Sequence, residues 1–546
     1  MRVNRARLSL AAALLGVGVG LPAAGLEAGA ADTKVREGGT FRMSLAFIDS
    51  VDPALAYTPV SWQLLQATCA KLMNYPDRPP PAGLQAVPEA AAGYRVSKNR
   101  KVYTFTLRSG YRFSTGARLT GASFSRAIAR LLDPAFQSPG EAAPGVQYAR
   151  DIVGADAVLA GKASTVSGVV EHGSKLGIHL KHPVPDFPAR LAMPFFCAVP
   201  PNLPADPEGA GAYPGAGPYY IAEYVAGRRI VLRRNRFYRG KRPVHVDGFL
   251  GDLTASPPRV VDDIERNAAD WGFVLRTVFA ERGPELTRRY GGKRLFLRPS
   301  GALWYFALNA RQPLFRNNAR LRRAVNFAID RASLAHAQGF RAARPTDQYL
   351  PPGMPGFKDA HIYPLDGNVQ KATALARGRR RGAKPVLYTS SDSLRFAQAQ
   401  IVKQNLARIG LDVEIRVFPI GALLEKLATP GEPFDIAFTL GWAADYSDPY
   451  AYLNVLFDGR QLGRPGNLNY SYFNSALYNR LLYRASRLRG AARYRTYGRL
   501  DVQLARDAAP ILPYSVGNEV TFVSARVDRR CIVLRPDLDL AAVCLK

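Results

Sequence analysis

The sequence predicts an α/β protein built from more than one structural unit. Residues 385–442 run through PVLYT, LRFAQAQIVKQNLARIG, DVEIRVF, GALLEKLA and FDIAFTL, alternating strand and helix periods. That β-α-β-α-β order implies a mostly parallel sheet with crossover helices. KVYTFTLRSGYRF and YYIAEYVAGRRIVLRRN alternate with the period of hairpin strands. The chain has 546 residues, more than one core usually holds, so two or three units are expected.

The elements follow in order. Arg2, Arg5 and Arg7 precede an apolar run from Leu8 to Leu21, and Ala28-Gly29-Ala30 offers a small-residue cleavage site. Residues 1–30 therefore read as a signal peptide, the run being too short to span a bilayer as an uncleaved anchor. The first cysteine is Cys69, so no lipid-attachment cysteine follows the apolar run. Phe41, Met43 and Leu45 alternate as a strand that Asp52-Pro53 breaks, and SWQLLQATCAKLMNY is helical. Tyr103, Phe105 and Leu107 form one face of a strand; a helix follows over 123–132 and Asp133-Pro134 stops it. Residues 161–200 read as short strands with turns. ALWYFALNA is apolar enough for a buried strand, and LRRAVNFAIDRASLA reads as one helix with Leu321, Ala324, Val325 and Ala328 on a face.

Composition excludes several classes. Apolar residues make up 47% and aromatics 10%, against general disorder. The net charge is +31, supplied mostly by arginine, but the arginines are scattered and no basic patch with a reading helix stands out. The densest cluster, RGRRRGAK at 377–384, reads as a solvated loop, so no nucleic-acid partner is expected. No H-E-x-x-H, no G-x-S-x-G and no phosphate loop occurs. The six histidines form no ligand pattern, and GAGPYY leads into a strand rather than a helix. Neither an enzyme nor a cofactor is expected. With export, the small even number of four cysteines points to disulfides. Cys531 with Cys544 would close a short loop and leave Cys69 with Cys197; four free buried thiols are the alternative.

The remaining chemistry is aromatic and acidic. Tyr57, Trp304, Tyr305, Trp442, Asp445 and Tyr446 fall near predicted strand ends. Ligands in open α/β sheets bind beyond the carboxyl ends of strands, which is where FDIAFTL delivers Trp442 and Asp445. Core packing for the rings and a turn role for Asp445, in DYSDP, are the structural alternatives.

Several stretches resemble the large solute-binding proteins of ABC importers, the dipeptide- and oligopeptide-binding family. GGTFRMSLAFIDSVDPALA is similar to the family's opening strand and turn, and YTFTLRSGYRFSTGARLTGASF to an internal segment among the family's most specific, with Ser123-Phe124 where an acidic residue and valine are usual. GAGPYYIAEYVAGRRIVLRRNRFYRG, LFRNNARLRRAVNFAIDRASL, QNLARIGLDVEIRVF and FDIAFTLGWAADYSDPY resemble further family motifs, in the same order.

The resemblance implies a two-lobed periplasmic-binding-protein fold of the large class. Lobe one would comprise 31–66, 205–300 and 513–546, with an inserted subdomain at 67–204. Lobe two would be 301–512, and the hinge would be crossed near Ala302 and Pro513. It implies a monomeric exported protein that closes on a peptide or peptide-like solute and hands it to a membrane permease. A sensory or chaperone-like role on the same scaffold is the alternative, as is a metal complex, haem, sugar or opine as solute. Asp445 stands where peptide-binding members pair the ligand's α-ammonium group. Trp442 would wall the adjacent pocket beside Tyr446, and Gly441 would admit the ligand backbone. Tyr57 and Thr58 would line the cleft from lobe one. Trp304, Tyr305 and Asn309 would be cleft walls near the first crossover. A basic residue that some relatives carry before the signature glycine is here Thr439.

Overall fold

Two long antiparallel strands, Leu295–Leu308 and Ile511–Phe522, organise the molecule. Their register runs from Leu295 opposite Phe522 to Ala307 opposite Ile511. Leu295 and Phe522 belong to a core with Val260, Ile264 and Phe279. At the other end Phe306, Leu308, Leu512 and Tyr514 belong to a different core, with Leu387, Val402 and Ile436. One ribbon thus joins two hydrophobic bodies. Its pairing breaks between Pro299 and Leu303, where proline offers no N–H to the ladder. There Ser300 donates its hydroxyl to the Gly517 carbonyl at 3.0 Å, and the Gly301 carbonyl accepts from the Tyr452 hydroxyl at 2.6 Å. The computed structural model describes residues 35–137, 143–379, 384–463, 467–535 and 537–546. The expected signal peptide, 1–30, and residues 380–383 of the arginine-rich stretch lie outside them.

The first body carries a four-stranded sheet in the order Thr40–Ser44, Gly248–Asp252, Arg229–Arg234, Tyr219–Val225. Only the first pair is parallel. The expected hairpin turns at Gly227, whose φ of 65° suits a residue without a Cβ. Alternation sends Phe41, Met43, Ile221, Ile230 and Leu232 into one core.

A second four-stranded sheet, fully antiparallel, is built from Ala91–Val96, Val102–Leu107, Lys175–His179 and Val169–His172. Tyr103, Phe105 and Leu107 are buried, as their spacing predicts. The helix after them spans Gly121–Leu131, and Ser123 accepts the Thr120 N–H at 3.4 Å. The departure at position 123 is thus a capping variation at a helix start. Cys69 and Cys197 form a disulfide near the two limits of this region, and Cys531 and Cys544 form another.

The second body carries a six-stranded sheet containing both long strands. Val386–Ser390 pairs in parallel with Glu414–Phe418 and Ile436–Phe438, the crossover arrangement expected from 385–442. The sheet as a whole is mixed, because the long strands and Ala343–Pro345 pair antiparallel. A mostly parallel sheet was the wrong expectation: strands remote in sequence add to its edge, which no local period reveals. The single helix expected over 321–335 is also two, Ala319–Ala328 and Arg331–His336. Asp330 breaks it by capping the second, accepting the Ser333 N–H at 2.9 Å. All described residues from Arg36 onward form one compact unit. No helix among the described residues is long and apolar enough to cross a membrane.

Candidate functional site

The segment after Ile436–Phe438 is fixed from several sides before it presents Asp445. Thr439 donates its hydroxyl to the Tyr305 carbonyl at 3.1 Å and accepts the Gly441 N–H at 3.2 Å. Gly441 turns with φ 75°. A Cβ there would meet the Leu303 carbonyl oxygen at 2.8 Å and the Trp304 ring at 2.9 Å, so position and conformation both demand glycine. Trp442 and Leu303 exchange backbone hydrogen bonds at 2.8 and 2.9 Å. The Trp442 indole N–H is donated to the Ala451 carbonyl at 2.7 Å. Beyond, Asp448 accepts the Tyr450 N–H at 2.8 Å and holds a buried two-pronged ion pair with Arg493 at 2.7 and 3.0 Å. Residues 444–447 are therefore slung between two anchors.

Three successive residues of that sling reach across to the other body. The Asp445 carboxylate accepts from the Tyr57 hydroxyl at 3.1 and 3.2 Å and, by a short bond, from the Tyr148 hydroxyl. Tyr446 donates its hydroxyl to Asp186, itself paired with Arg190 at 2.7 Å. The Ser447 N–H is donated to the Tyr75 hydroxyl at 2.9 Å. The rings are ordered too. Tyr57 and Tyr148 each stack on Phe195, with centroids 6.0 and 6.1 Å away, and Trp62 meets Phe195 edge-on at 5.3 Å.

Burial pushes the Asp445 carboxyl above the usual carboxylate range, outweighing the hydrogen bonds from Tyr148 and Tyr57. Burial and the charge of Asp445 raise the Tyr57 hydroxyl to about 12. Among the described residues Asp445 has no ion-pair partner, and the side chains that hydrogen-bond its carboxylate are phenols. A desolvated acid served only by neutral donors has a place for a cation.

Asp445 faces a cavity of about 780 Å³ lined also by Tyr57, Trp62, Tyr75 and Tyr446. Proline walls close on it from both bodies: Pro79 and Pro80 from the RPPPAG loop, Pro351 and Pro352 from the other body. A different part of its wall is charged. Arg298 comes from the first long strand and Glu519, directly opposite in register, from the second. Arg276, Arg535, Asp537 and Asp539 complete that part.

Of the sequence-derived candidates, Asp445, Tyr446 and Tyr57 line the cavity. The other six do not. Thr58 caps the helix Pro59–Thr68 and donates its hydroxyl to Asp49 at 2.6 Å. Asp49 also accepts the Tyr57 and Thr58 N–H groups; burial raises its pKa, but these bonds outweigh it and hold the carboxyl below its ordinary range. Gly441 makes room for the protein's own strand, and Trp442 packs behind the sling. Trp304 carries the Arg395 guanidinium 4.4 Å from its ring centroid. Tyr305 is a core residue, and Asn309 donates its side-chain amide to the Phe434 carbonyl at 2.9 Å. Trp304, Tyr305 and Trp442 sit near strand ends, as expected, but none of them lines the cavity. Tyr148, Tyr75 and Glu519 escape a sequence reading. Tyr148 lies in a four-residue helix and meets Asp445 across 297 positions, a pairing with no local signal.

The family model of bacterial extracellular solute-binding proteins, family 5, middle, matches residues 85–463. The chain is 26% identical over 438 residues to the oligopeptide-binding protein OppA of Bacillus subtilis, covering 75% of each chain. It is 26% identical over 447 residues to the probable deoxycholate-binding periplasmic protein YgiS of Escherichia coli, covering 79% of each. Among solved structures it is similar to the unliganded open form of the periplasmic murein tripeptide-binding protein MppA. That likeness has a TM-score of 0.77 and 21% identity, over 94% of this chain and 98% of the other. The α/β fold is thus the two-lobed one of periplasmic binding proteins.

Proposed function

This chain belongs to the bacterial extracellular solute-binding proteins, family 5, and we propose that it captures a peptide or peptide-like solute between its lobes. It delivers that solute to the permease of an ABC importer. The observation that carries the reading is Asp445: a desolvated carboxylate on the cavity wall, held by two phenols and matched by no cation among the described residues. A peptide's α-ammonium group supplies the missing charge. The resemblance to a probable deoxycholate-binding protein supplies a contrast, since an anionic solute would face Asp445 with like charge.

The lobe limits follow the same reading. Lobe one takes 31–66, 205–300 and 513–546, with 67–204 inserted, and lobe two takes 301–512. The break in pairing between Pro299 and Leu303 supports a hinge there, because unpaired backbone bends without losing ladder bonds. Export to the periplasm, cleavage of residues 1–30 and a monomeric state complete the proposal; two disulfides suit an oxidising compartment.

The test is calorimetric titration of the mature protein with alanine peptides and their N-acetylated forms, repeated with Asp445→Ala. Free-amine peptides bind the parent and lose affinity in the variant, whereas acetylation weakens binding to the parent alone. Equal affinity of parent and variant for a free-amine peptide would sink the assignment of Asp445.

A further inference from the structure

The charged part of the cavity wall holds a second pair of acids that the Asp445 reading leaves unused. Glu519 projects from the second long strand and Asp537 from the C-terminal tail, and both line the cavity. Both are half-buried and keep some accessible surface. Among the described residues neither carboxylate has a hydrogen bond or an ion pair. The neighbouring acids differ in this respect. Asp539 is bound by Arg535 at 2.7 Å, and Asp77 by Arg242 at 3.2 Å. Arg535 is thus engaged elsewhere, and Arg298, opposite Glu519 in register, makes no ion pair with it.

The electrostatics agree with that geometry. Burial, then the charge of Asp537, raises Glu519 to about 8, and the attraction of Arg276 does not offset them. Burial raises Asp537 to about 6 against the pull of Arg535. Two acids on one cavity wall, neither of them in an ion pair, hold a proton at neutral pH. Among the described residues no third acid, histidine or cysteine joins them in a metal-binding group, so an organic cation suits the pair better than a metal ion.

We propose that Glu519 and Asp537 form a second cation subsite of the cavity. The solute is then a peptide or peptide-like dication, its amine end at Asp445 and an ammonium or guanidinium side chain between Glu519 and Asp537. This rests on the peptide reading above and adds a side-chain preference to it. Binding of the second cation displaces the proton held at this subsite into solvent, so its occupation releases a proton that binding of a neutral peptide does not.

The experiment uses the mature full chain at neutral pH. Alanine di-, tri- and tetrapeptides are titrated beside their single-lysine counterparts, in buffers of different ionisation enthalpy. At least one lysine peptide binds about tenfold or more tighter than its alanine parent and releases protons. Glu519→Gln with Asp537→Asn abolishes both the preference and the release. The parent protein's proton count is informative even if that variant folds poorly. Alanine peptides binding as tightly as every lysine counterpart, with no proton release, overturn the second subsite and leave the peptide reading standing. Failure of all the peptides to bind overturns both.

Discussion

Two acidic stations on one cavity wall are satisfied in opposite ways. Asp445 is held by phenol hydroxyls from the other body. The Glu519 and Asp537 carboxylates have no hydrogen bond or ion pair among the described residues, and the attraction of Arg276 and of Arg535 does not offset their burial. Both arrangements raise a carboxyl, but for different reasons. At Asp445 burial works against two hydrogen bonds that favour the charged form; at Glu519 burial and like charge act together. The first station is oriented and ready for a cation; the second holds a proton until one arrives.

The largest effect separates the stations by removal of charge. Asp445→Ala costs about 2–5 kcal/mol of affinity for a free-amine peptide, since a desolvated ammonium loses its partner. Glu519→Gln removes the preference for lysine peptides in the same titration. A second change tests the sling itself. Gly441→Ala forces a Cβ against the Leu303 carbonyl in a left-handed conformation and lowers stability by about 1–3 kcal/mol in urea denaturation. Loss of peptide affinity beyond that of a remote mutation of equal cost would show that the sling sets the aim of Asp445.

Tyr148→Phe takes a donor from the Asp445 carboxylate. Hydrogen bonds to charged groups contribute about 1.5–3 kcal/mol, so the ligand-free protein is destabilised by that order. An unchanged unfolding midpoint would mean that the phenol contributes nothing in the empty state. The smallest effect is one of slope. Burial and the charge of Asp537 raise Glu519 to about 8 in the folded protein, against about 4.5 for a glutamate in the unfolded chain. The folded state therefore binds more protons between those values, and stability falls as pH rises through that window. The melting temperature of Glu519→Gln declines less between them than the parent's does.

Much of the fold was legible because it depends on short periods. Alternation at Tyr103, Phe105 and Leu107 predicts a strand face that the structure buries, and PVLYT reads as the strand that the structure places at Val386–Ser390. The helix broken at Asp330 was not legible, because Asp330 fits a helix period and caps equally well; the buried bond from Arg331 to the Pro513 carbonyl, across 182 positions, fixes the second helix in place. The site divides similarly. Asp445 is recognisable from its motif and Tyr57 from the segment before Pro59-Val60. Trp304, Tyr305 and Asn309 were legible as strand-end residues, but the side of the strand they face depends on which sheet edge the cavity occupies.

The sequence by itself determined where the chain turns, which faces are apolar and which motif carries the acid, because these rest on contacts a few residues apart. Tertiary structure alone decided that Tyr57 and Tyr148 meet Asp445, and that Glu519 and Asp537 line a common wall. Those encounters join positions hundreds of residues apart in some cases, and their energies come from desolvation, which exists only once two bodies have closed over the same space.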